Sequence, residues 1–356
     1  IRDRTSIITV SSPVNLTGGE VLFNYTVEGT SGAPGDVSGQ TSASGISLGD
    51  FTQTLNNNTD QVQWVEYRIH PYASGTGAGS DCDYGVNLDT LFRIYVNPTP
   101  RIEVNVNPSN TICNNDLINF GITNPNQPIS GVWQYELVVE YGPHIQGNNI
   151  GGVFTELPPS LQDSLVNTDT AYSFAVYQFV PWIVDQDGDS CAAGEAIIDT
   201  IWVNPTPAIR VRAQDSIICN GEQAIINIYN PNSFITGEWE YDLVVVPDPE
   251  IGGARPGSNG IVDTQITDAL TNSDTMVHKV EYRFFPTKTI DDGLICGGGN
   301  DTTIVIWVNP TPETRVSVSD TVLCNGEDVT IQLRLSLIHI SEPTRQVLVS
   351  RMPSSA

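Results

Sequence analysis

The string Val-Asn-Pro-Thr-Pro occurs three times in this 356-residue chain, and it constrains the fold more than any other feature. Its copies occupy residues 96–100, 203–207 and 308–312, so they lie 107 and 105 residues apart. A nearly fixed period of this kind means that one structural unit has been copied along the chain. The period therefore predicts units of about 100 residues, each long enough to bury a core of its own.

Further residues recur at matching positions in each copy. Every copy has a Leu-x-Asn motif, a Tyr twelve residues after that Leu, and a Pro four residues after the Tyr. One Cys follows the Pro, and another follows each Val-Asn-Pro-Thr-Pro string. The recurring residues are Leu55, Asn57, Tyr67, Pro71 and Cys82; Leu165, Asn167, Tyr177, Pro181 and Cys191; Leu270, Asn272, Tyr282, Pro286 and Cys296; and, after the strings, Cys113, Cys219 and Cys324.

The segments around the three tyrosines have the pattern of β-strands. Residues 62–71, 174–181 and 278–286 alternate apolar and polar side chains and end at a Pro, which has no N–H to donate to a sheet. Trp133 and Trp239 stand early in two further matching segments, as a buried Trp does in two-sheet sandwiches. The predicted fold class is all-β, with tandem immunoglobulin-like β-sandwich repeats in an elongated array.

The repeat also predicts the boundaries of the units. We expect a divergent unit at 1–99, full units at 100–206 and 207–311, and the start of another at 312–334. In the first unit we expect Thr17-Gly-Gly-Glu20 to stand in the place of Cys219-Asn-Gly-Glu222, and the Trp strand to be missing. Residues 335–356 contain LSLIHISEPTR and SRMPSSA, which match a translated sequencing adapter, so we exclude this segment from the fold prediction.

The combined motif resembles a known family. The order Cys-x-Gly-(Asp/Glu), Leu-x-Asn, Val-x-Tyr-x-(Phe/Ile)-x-Pro, Cys and Val-Asn-Pro-Thr-Pro resembles PKD-like/Ig-like repeats of Bacteroidota surface proteins over residues 1–334. These proteins include the gliding-motility adhesins that the type IX secretion system exports. The resemblance implies an extracellular or cell-surface stalk module for spacing and weak multivalent adhesion. Its partners would be neighbouring repeats and surface glycans or another extracellular ligand. Cys113-Asn-Asn-Asp116 departs from the motif because it lacks the Gly.

Composition excludes several other classes of function. The formal net charge of −26 disfavours partners that are bound through phosphates, so we expect no nucleic acid. No apolar run approaches the roughly 20 residues that span a bilayer, so we expect no membrane insertion. Phosphate-loop and nucleophile motifs are missing from the sequence, so we expect no enzyme. The alternative is a spacer or carbohydrate-binding accessory region of a secreted hydrolase. An aromatic platform on one sandwich face would favour carbohydrate binding.

The six cysteines suggest disulfides rather than a metal site, because no two of them are closer than 28 residues. Two connectivities remain open. Pairing within units gives Cys113–Cys191 and Cys219–Cys296, and the resemblance favours it because single modules of such families often carry both cysteines. Pairing across the linkers uses every thiol and gives Cys82–Cys113, Cys191–Cys219 and Cys296–Cys324.

One loop has the composition of a calcium site. Asp185, Asp187 and Asp189 alternate with Gln186 and Gly188, and Ca²⁺ takes six to eight oxygen ligands, for which closely spaced carboxylates are a start. The loop does not have the spacing of an EF-hand. The competing interpretation is a solvated turn rich in Asp and Gly. We expect no cofactor other than this candidate calcium ion.

Overall fold

The computed structural model describes residues 6–75, 81–83, 88–155, 161–290 and 293–335. The regular elements in these ranges are β-strands, which confirms the predicted all-β class. Within the same ranges there is no helix of the length and hydrophobicity that crossing a membrane requires. The chain divides into two compact units, Ile1–Pro205 and Thr206–Ala356. Residues 336–356, which cover nearly all of the adapter-like segment, lie outside the described residues.

The first unit begins with a sandwich at residues 6–96, here called the first sandwich. Its larger sheet has the strand order β4-β2-β7-β8, and β1 pairs with β5 on the other side of the core. Phe23, Val65 and Tyr67 are fully buried between them. The strands are β1 (Ser6–Val10), β2 (Glu20–Thr30), β3 (Val37–Ser38), β4 (Ala43–Ser47), β5 (Gly49–Gln53), β6 (Asn56–Asn57), β7 (Gln63–Ser74) and β8 (Thr90–Val96).

The second sandwich, residues 103–203, completes the first unit. A five-stranded sheet of order β10-β18-β17-β12-β14 packs on a three-stranded sheet of order β15-β11-β9, with Phe120, Tyr177 and Phe179 in the core. The strands are β9 (Glu103–Asn107), β10 (Thr111–Ile112), β11 (Leu117–Thr123), β12 (Val132–Tyr141), β13 (Ile145–Gln146), β14 (Gly152–Phe154), β15 (Leu161–Ser164), β16 (Val166–Asn167), β17 (Ser173–Val184) and β18 (Ile197–Val203).

The third sandwich, residues 210–308, lies in the second unit and repeats this design. Its larger sheet has the order β20-β29-β27-β22-β24, with β28 also paired to β27, and its smaller sheet has the order β19-β21-β25. A hairpin of β30 and β31 follows. The strands are β19 (Arg210–Ala213), β20 (Ile217–Ile218), β21 (Gln223–Tyr229), β22 (Glu238–Pro247), β23 (Ile251–Gly252), β24 (Ser258–Ile261), β25 (Gln265–Ala269), β26 (Thr271–Asn272), β27 (His278–Thr289), β28 (Ile295–Cys296), β29 (Thr302–Val308), β30 (Thr314–Val318) and β31 (Ile331–Leu335).

Strand pairing corrects the predicted alignment of the first unit. Strand β2 pairs with β7 so that Phe23 lies opposite Pro71, as Tyr135 lies opposite Pro181 in the second sandwich. The Trp strand is therefore present as β2, with Val21 in the Trp position. Thr17-Gly-Gly-Glu20 leads into this strand and does not correspond to Cys219-Asn-Gly-Glu222. The prediction was wrong because a Gly-Glu pair occurs before strands of both sheets: it precedes β21 of the smaller sheet in the third sandwich and opens β2 of the larger sheet in the first.

A glycine at the start of this strand recurs for a steric reason. Gly131 has a φ of 117°, and a Cβ atom there would overlap the carbonyl oxygen of Val184 on β17. Gly19 and Gly237 also have positive φ, and a Cβ on them would overlap the carbonyl oxygens of Ser74 and Thr289. Because only glycine fits so close to a neighbouring backbone, the turn into this strand is fixed in all three sandwiches.

The Cys-x-x-acid motif forms a small capped turn. The Cys219 amide donates to Glu222 Oε2 at 2.8 Å, and the Cys113 amide donates to Asp116 Oδ2 at 3.0 Å. The left-handed position within the turn is Gly221 in one copy and Asn115 in the other, with φ values of 85° and 67°. Asn tolerates this conformation better than most residues with a side chain. The missing Gly at Cys113-Asn-Asn-Asp116 therefore leaves the turn intact.

The predicted pairing of cysteines within units is not formed, because the two residues lie at opposite ends of a sandwich. Cys113 follows Ile112, which pairs with Val203 near the Ser173 end of β17. Cys191 donates its amide proton to the carbonyl of Ile183, ten residues further along β17. Ten strand residues span about 33 Å, whereas the Cα atoms of a disulfide lie roughly 4.4–6.8 Å apart.

The same argument applies to Cys219 and Cys296. Cys219 follows β20 at the His278 end of β27, whereas Cys296 lies opposite Lys288 near the other end. The pairing across linkers is not formed either. Cys219 and Cys324 are free thiols, which excludes the disulfides Cys191–Cys219 and Cys296–Cys324.

The remaining predicted pair across a linker, Cys82–Cys113, is also separated. Cys82 bonds to the backbone of Ala73, so it lies at the end of β7 remote from residues 97–100. Cys113 lies at the end of the second sandwich remote from the same linker. Cys113 takes part in a disulfide bond, but neither Cys191 nor Cys82 is its partner.

Candidate functional site

The repeated Leu-x-Asn motif fixes the end of each strand that leads into a Val-Asn-Pro-Thr-Pro string. In the first sandwich, Asn57 Nδ2 donates to the carbonyl oxygens of Gln61 at 2.7 Å and Val96 at 2.8 Å. Asn167 and Asn272 make the equivalent pair of bonds. Their acceptors are the carbonyls of Ala171 and Val203, and of Met276 and Val308, at 2.7–2.9 Å.

The linker at residues 97–100 is held by a buried amide of the following sandwich. Asn126 is 0% exposed, and its side chain accepts from the Arg101 amide at 2.6 Å and donates to the Thr99 carbonyl at 3.2 Å. Asn232 makes the same two bonds with the Ala208 amide and the Thr206 carbonyl, at 2.6 and 3.2 Å. A single side chain thus satisfies backbone groups on both sides of the second linker proline.

These asparagines were missed in the sequence, although a signal for them exists. Each is the last residue of an Asn-Pro-Asn string, at 124–126 and 230–232, which recurs with the period of the other motifs. The first Asn of the string accepts the amide proton of the last one, at 2.8 Å for Asn124 and 2.9 Å for Asn230. The string therefore forms an Asx turn that aims the buried amide at the linker.

The Trp that was predicted as a core residue also binds the linker. Trp133 Nε1 donates to the carbonyl of Arg101 at 3.0 Å, and Trp239 Nε1 donates to the carbonyl of Ala208 at 3.2 Å. Both acceptors directly follow the second proline of a Val-Asn-Pro-Thr-Pro string. The indole therefore fills the end of the core and orients the first residue after the linker.

Direct contacts join the first and second sandwiches across residues 97–100. Asn97 accepts from the Ser130 amide and donates to the Ser130 carbonyl, each at 2.7 Å. The Val62 amide donates to the Pro128 carbonyl at 2.8 Å. A buried or half-buried hydrogen bond of this kind contributes roughly 0.5–1.5 kcal/mol. The Arg101 guanidinium also meets both carboxylate oxygens of Asp60 at 3.0 Å, but this pair is exposed and adds little.

A cleft of about 520 Å³ lies at this junction, and Asp185, Asp187 and Cys191 border it together with the linker. Asp185 Oδ1 accepts from the amides of Asp187 at 3.1 Å and Asp189 at 2.9 Å, which is the geometry of an Asp-capped turn. In the described part of the chain, no three His, Cys, Asp or Glu side chains are grouped so that they could hold a metal. Calcium binding stays a prediction, to be tested by titration calorimetry of wild type and Asp187→Asn with Ca²⁺.

Histidines of the first and third sandwiches lie among carboxylates. His70 Nδ1 is 2.7 Å from Asp89 Oδ1, and this bond raises the pKa of His70 and lowers that of Asp89. His278 Nε2 is 2.9 Å from Asp274 Oδ2, which likewise raises the pKa of His278. Both clusters bind loops to the long strand of a sandwich, so they stabilise the scaffold.

Comparisons with known proteins place these features in context. No family model matches the chain, and no curated protein matches its sequence. Among solved structures, it is similar to the Escherichia coli adhesin FdeC, with 13% identity, a TM-score of 0.35, and 85% of this chain and 87% of that chain covered.

Two further solved structures are similar at the same level. Invasin, a bacterial integrin-binding protein, has 14% identity and a TM-score of 0.29, with 93% of this chain and 63% of that chain covered. The D00–D0 domain of intimin has 11% identity and a TM-score of 0.29, with coverage of 57% and 99%. Because these TM-scores are below 0.5, the fold assignment here comes from strand order and register.

Proposed function

We propose that this chain is an extracellular structural and adhesive stalk segment, in which immunoglobulin-like sandwiches are joined at fixed geometry. The observation that carries the proposal is the linker at residues 97–100. Asn126 binds its backbone on both sides of Pro100, and Asn97 binds the backbone of Ser130 in the next sandwich. A free hinge would leave such backbone groups to water, whereas here side chains hold them.

Composition and motif pattern support an extracellular setting. The repeat motifs are similar to those of Bacteroidota surface proteins, and a net charge of −26 keeps such a chain soluble at high local density. Surface glycans or another extracellular ligand would be contacted weakly and many times along a repetitive stalk.

The alternative, a carbohydrate-binding accessory region, receives less support from the aromatic side chains. Tyr172 and Phe174 are the nearest aromatic neighbours of Trp202 on the outer face of the five-stranded sheet. Their rings stand at 69° and 65° to that indole instead of lying in one plane with it. A sugar that stacks on aromatic rings would need a flatter platform.

The proposal is tested by measuring how rigid the junction is. Spin labels on unnatural amino acids at exposed Thr52 and Thr123 report the distance between the first and second sandwiches in the full chain. We expect a narrow distance distribution in the wild type and a clearly broader one in the double variant Asn97→Ala with Asn126→Ala. The matched control is Thr99→Ala, since Thr99 uses its carbonyl and not its exposed side chain in the junction.

A wild-type distribution as broad as that of the double variant would overturn the proposal. If the distance distribution of Thr99→Ala is as broad as that of the double variant, any change in the linker disturbs the junction. The specific role of the two asparagines would then be wrong.

A further inference from the structure

The outer faces of the three sandwiches differ at equivalent positions of their longest strands. Strands β7, β17 and β27 align through Pro71, Pro181 and Pro286, each of which lies opposite the aromatic residue of the neighbouring strand. On each strand every second side chain points away from the core. These outward residues are Trp64, Glu66, Arg68, His70 and Tyr72; Phe174, Val176, Gln178, Val180 and Trp182; and Lys279, Glu281, Arg283, Phe285 and Thr287.

Ion pairs cover this face in the first sandwich. Arg93 bonds to Glu66 at 2.9 Å and lies 4.1 Å over the Trp64 ring. Arg68 bonds to Glu28 and Asp89 at 2.9 and 3.0 Å. Charged side chains therefore cover Trp64 and the centre of this face. Tyr95 and Leu91, on β8 at its side, stay 58% and 54% exposed.

The third sandwich covers the same positions in a similar way. Glu281 lies between two cations on its own strand, 2.7 Å from Lys279 and 2.8 Å from Arg283. Lys279 also lies 6.0 Å over the Trp307 ring. The centre of the face is thus charged in the third sandwich as well as in the first, although Val244 and Phe285 beside it are 44% and 38% exposed.

The second sandwich has an apolar face instead. Gln178 of β17 lies opposite Val138 of β12 on one side and Ile198 of β18 on the other. Val138 is 47% exposed and Ile198 is 60% exposed, so apolar side chains flank Gln178 on both neighbouring strands. Val176 and Val180 are the outward neighbours of Gln178 on β17 itself. Val153 on β14 extends the patch and is 56% exposed. Among the described residues of this face, none is Lys, Arg or His.

We propose that this face, here called the β17 face, is the docking surface for a second copy of the chain. Twelve residues of β17 make it about 36 Å long, and four strands make it about 19 Å wide. Because β14, β12 and β18 are shorter than β17, with 3, 10 and 7 residues, roughly 500 Å² per copy would be covered. This area is below the roughly 800 Å² per partner of a standard interface and corresponds to weak association. Exposed apolar patches larger than a few hundred Å² on a soluble protein usually mark an interaction surface.

The charges of the face are compatible with a symmetric pair. The two carboxylates of the face, Glu136 and Glu140, are both on β12, to one side of β17. A two-fold axis along β17 places β12 of one copy opposite β18 of the other, so Val138 meets Ile198 and Glu140 meets Thr200. No carboxylate then faces another carboxylate across the interface.

The overall charge makes a distinctive prediction about salt. Two chains of net charge −26 repel each other, while the face itself offers apolar area and no ion pairs. Association should therefore strengthen as salt rises, because salt screens the repulsion and leaves apolar burial intact. A cationic protein partner would behave in the opposite way.

The test is sedimentation equilibrium of the full chain at about 0.01 M and about 1 M sodium chloride, where the Debye lengths are about 30 and 3 Å. Iodoacetamide first blocks the free thiols Cys219 and Cys324, so that no intermolecular disulfide forms. The variant Val176→Glu with Gln178→Arg gives the second sandwich the ion pair of the third without changing net charge. Its matched control, Asn105→Arg with Asn119→Glu, lies on the outer face of the smaller sheet.

We expect wild type and control to dimerise more tightly at high salt. The Val176→Glu, Gln178→Arg variant should have a dissociation constant at least about 30-fold higher at both salt concentrations, because it buries charge in the interface. If a strongly lowered melting temperature shows that this variant is poorly folded, Ile198→Lys replaces it, with the same increase in dissociation constant expected. A wild type that is monomeric up to about 1 mM at both salts overturns the proposal. So does a dimer that the face variants leave unchanged, or one that weakens with salt.

Discussion

The hydroxyl of Tyr177 donates a 2.6 Å hydrogen bond to the buried carboxylate of Asp163. Because Asp163 is on β15 and Tyr177 is on β17, this bond connects the two sheets of the second sandwich. The third sandwich repeats the relationship, with Tyr282 donating to Asp268 at 2.8 Å. In the first sandwich Tyr67 donates to Gln53 at 3.0 Å, so the acceptor there is neutral.

We expect Tyr177→Phe to destabilise the protein by about 1–3 kcal/mol, because it leaves a buried carboxylate with one donor fewer. Tyr67→Phe should cost about 1 kcal/mol, since its acceptor is an amide. Denaturant unfolding followed by tryptophan fluorescence measures both, with Tyr72→Phe on an outer face as the control. A larger cost for Tyr67→Phe than for Tyr177→Phe would contradict this account.

The buried tyrosines also predict how stability depends on pH. Burial raises the pKa of Tyr67, Tyr135 and Tyr241 to about 12, and it raises the pKa of Tyr177 and Tyr282 as well. A folded-state pKa above the unfolded value of about 10 means that the stabilisation is complete below pH 10. It is lost as pH rises from about 10 through the folded-state value.

The measurement is the near-ultraviolet absorbance of tyrosinate during an alkaline titration, recorded together with circular dichroism. We expect exposed tyrosines to ionise first and the buried ones to ionise together with loss of structure. Ionisation of all tyrosines near pH 10 with the fold intact would show that these side chains are hydrated.

The repeated glycine before the Trp strand gives a steric prediction. Gly131→Ala should destabilise the second sandwich by about 1–3 kcal/mol, because its Cβ would overlap the Val184 carbonyl at a positive φ. Gly121→Ala is the matched control, since the nearest atoms to its Cβ would be those of Asn105, at 3.8 Å. Calorimetry should show a lower melting temperature for Gly131→Ala than for Gly121→Ala, and equal melting temperatures would refute the steric explanation.

The strands and their periodicity were predictable from sequence because alternation at Tyr67, Tyr177 and Tyr282 reports directly which side chains are buried. The cysteine pairing was not predictable. Sequence spacing does not say at which end of a long strand a Cys lies, and Cys113 and Cys191 turned out to be a whole strand length apart. The asparagines of the Leu-x-Asn motif were predictable as a recurring pattern. Their acceptors were not, because each Asn binds one carbonyl in the loop that follows it and one at the end of a strand 36–39 residues further along the chain.

Asn167 allows that last point to be tested. Its side chain is 3% exposed and donates to the carbonyls of Ala171 and Val203. It also accepts from the Asp169 amide at 2.9 Å. We expect Asn167→Ala to destabilise the second sandwich by about 2–3 kcal/mol, since buried backbone groups lose their partners.

Asn167→Asp provides the discriminating comparison. It keeps the oxygen that accepts from the Asp169 amide, but it replaces the donating NH₂ group by a negatively charged oxygen. At neutral pH it should be at least as destabilised as Asn167→Ala, since a carboxylate would face two carbonyl oxygens. These oxygens would raise its folded-state pKa above the ordinary value of about 3.9, so protonation favours the folded state. Its stability relative to Asn167→Ala should therefore recover as pH falls towards 4. Denaturant midpoints for the two variants across this pH range measure the effect, and a constant difference between them would rule out the two donated bonds as the function of the motif.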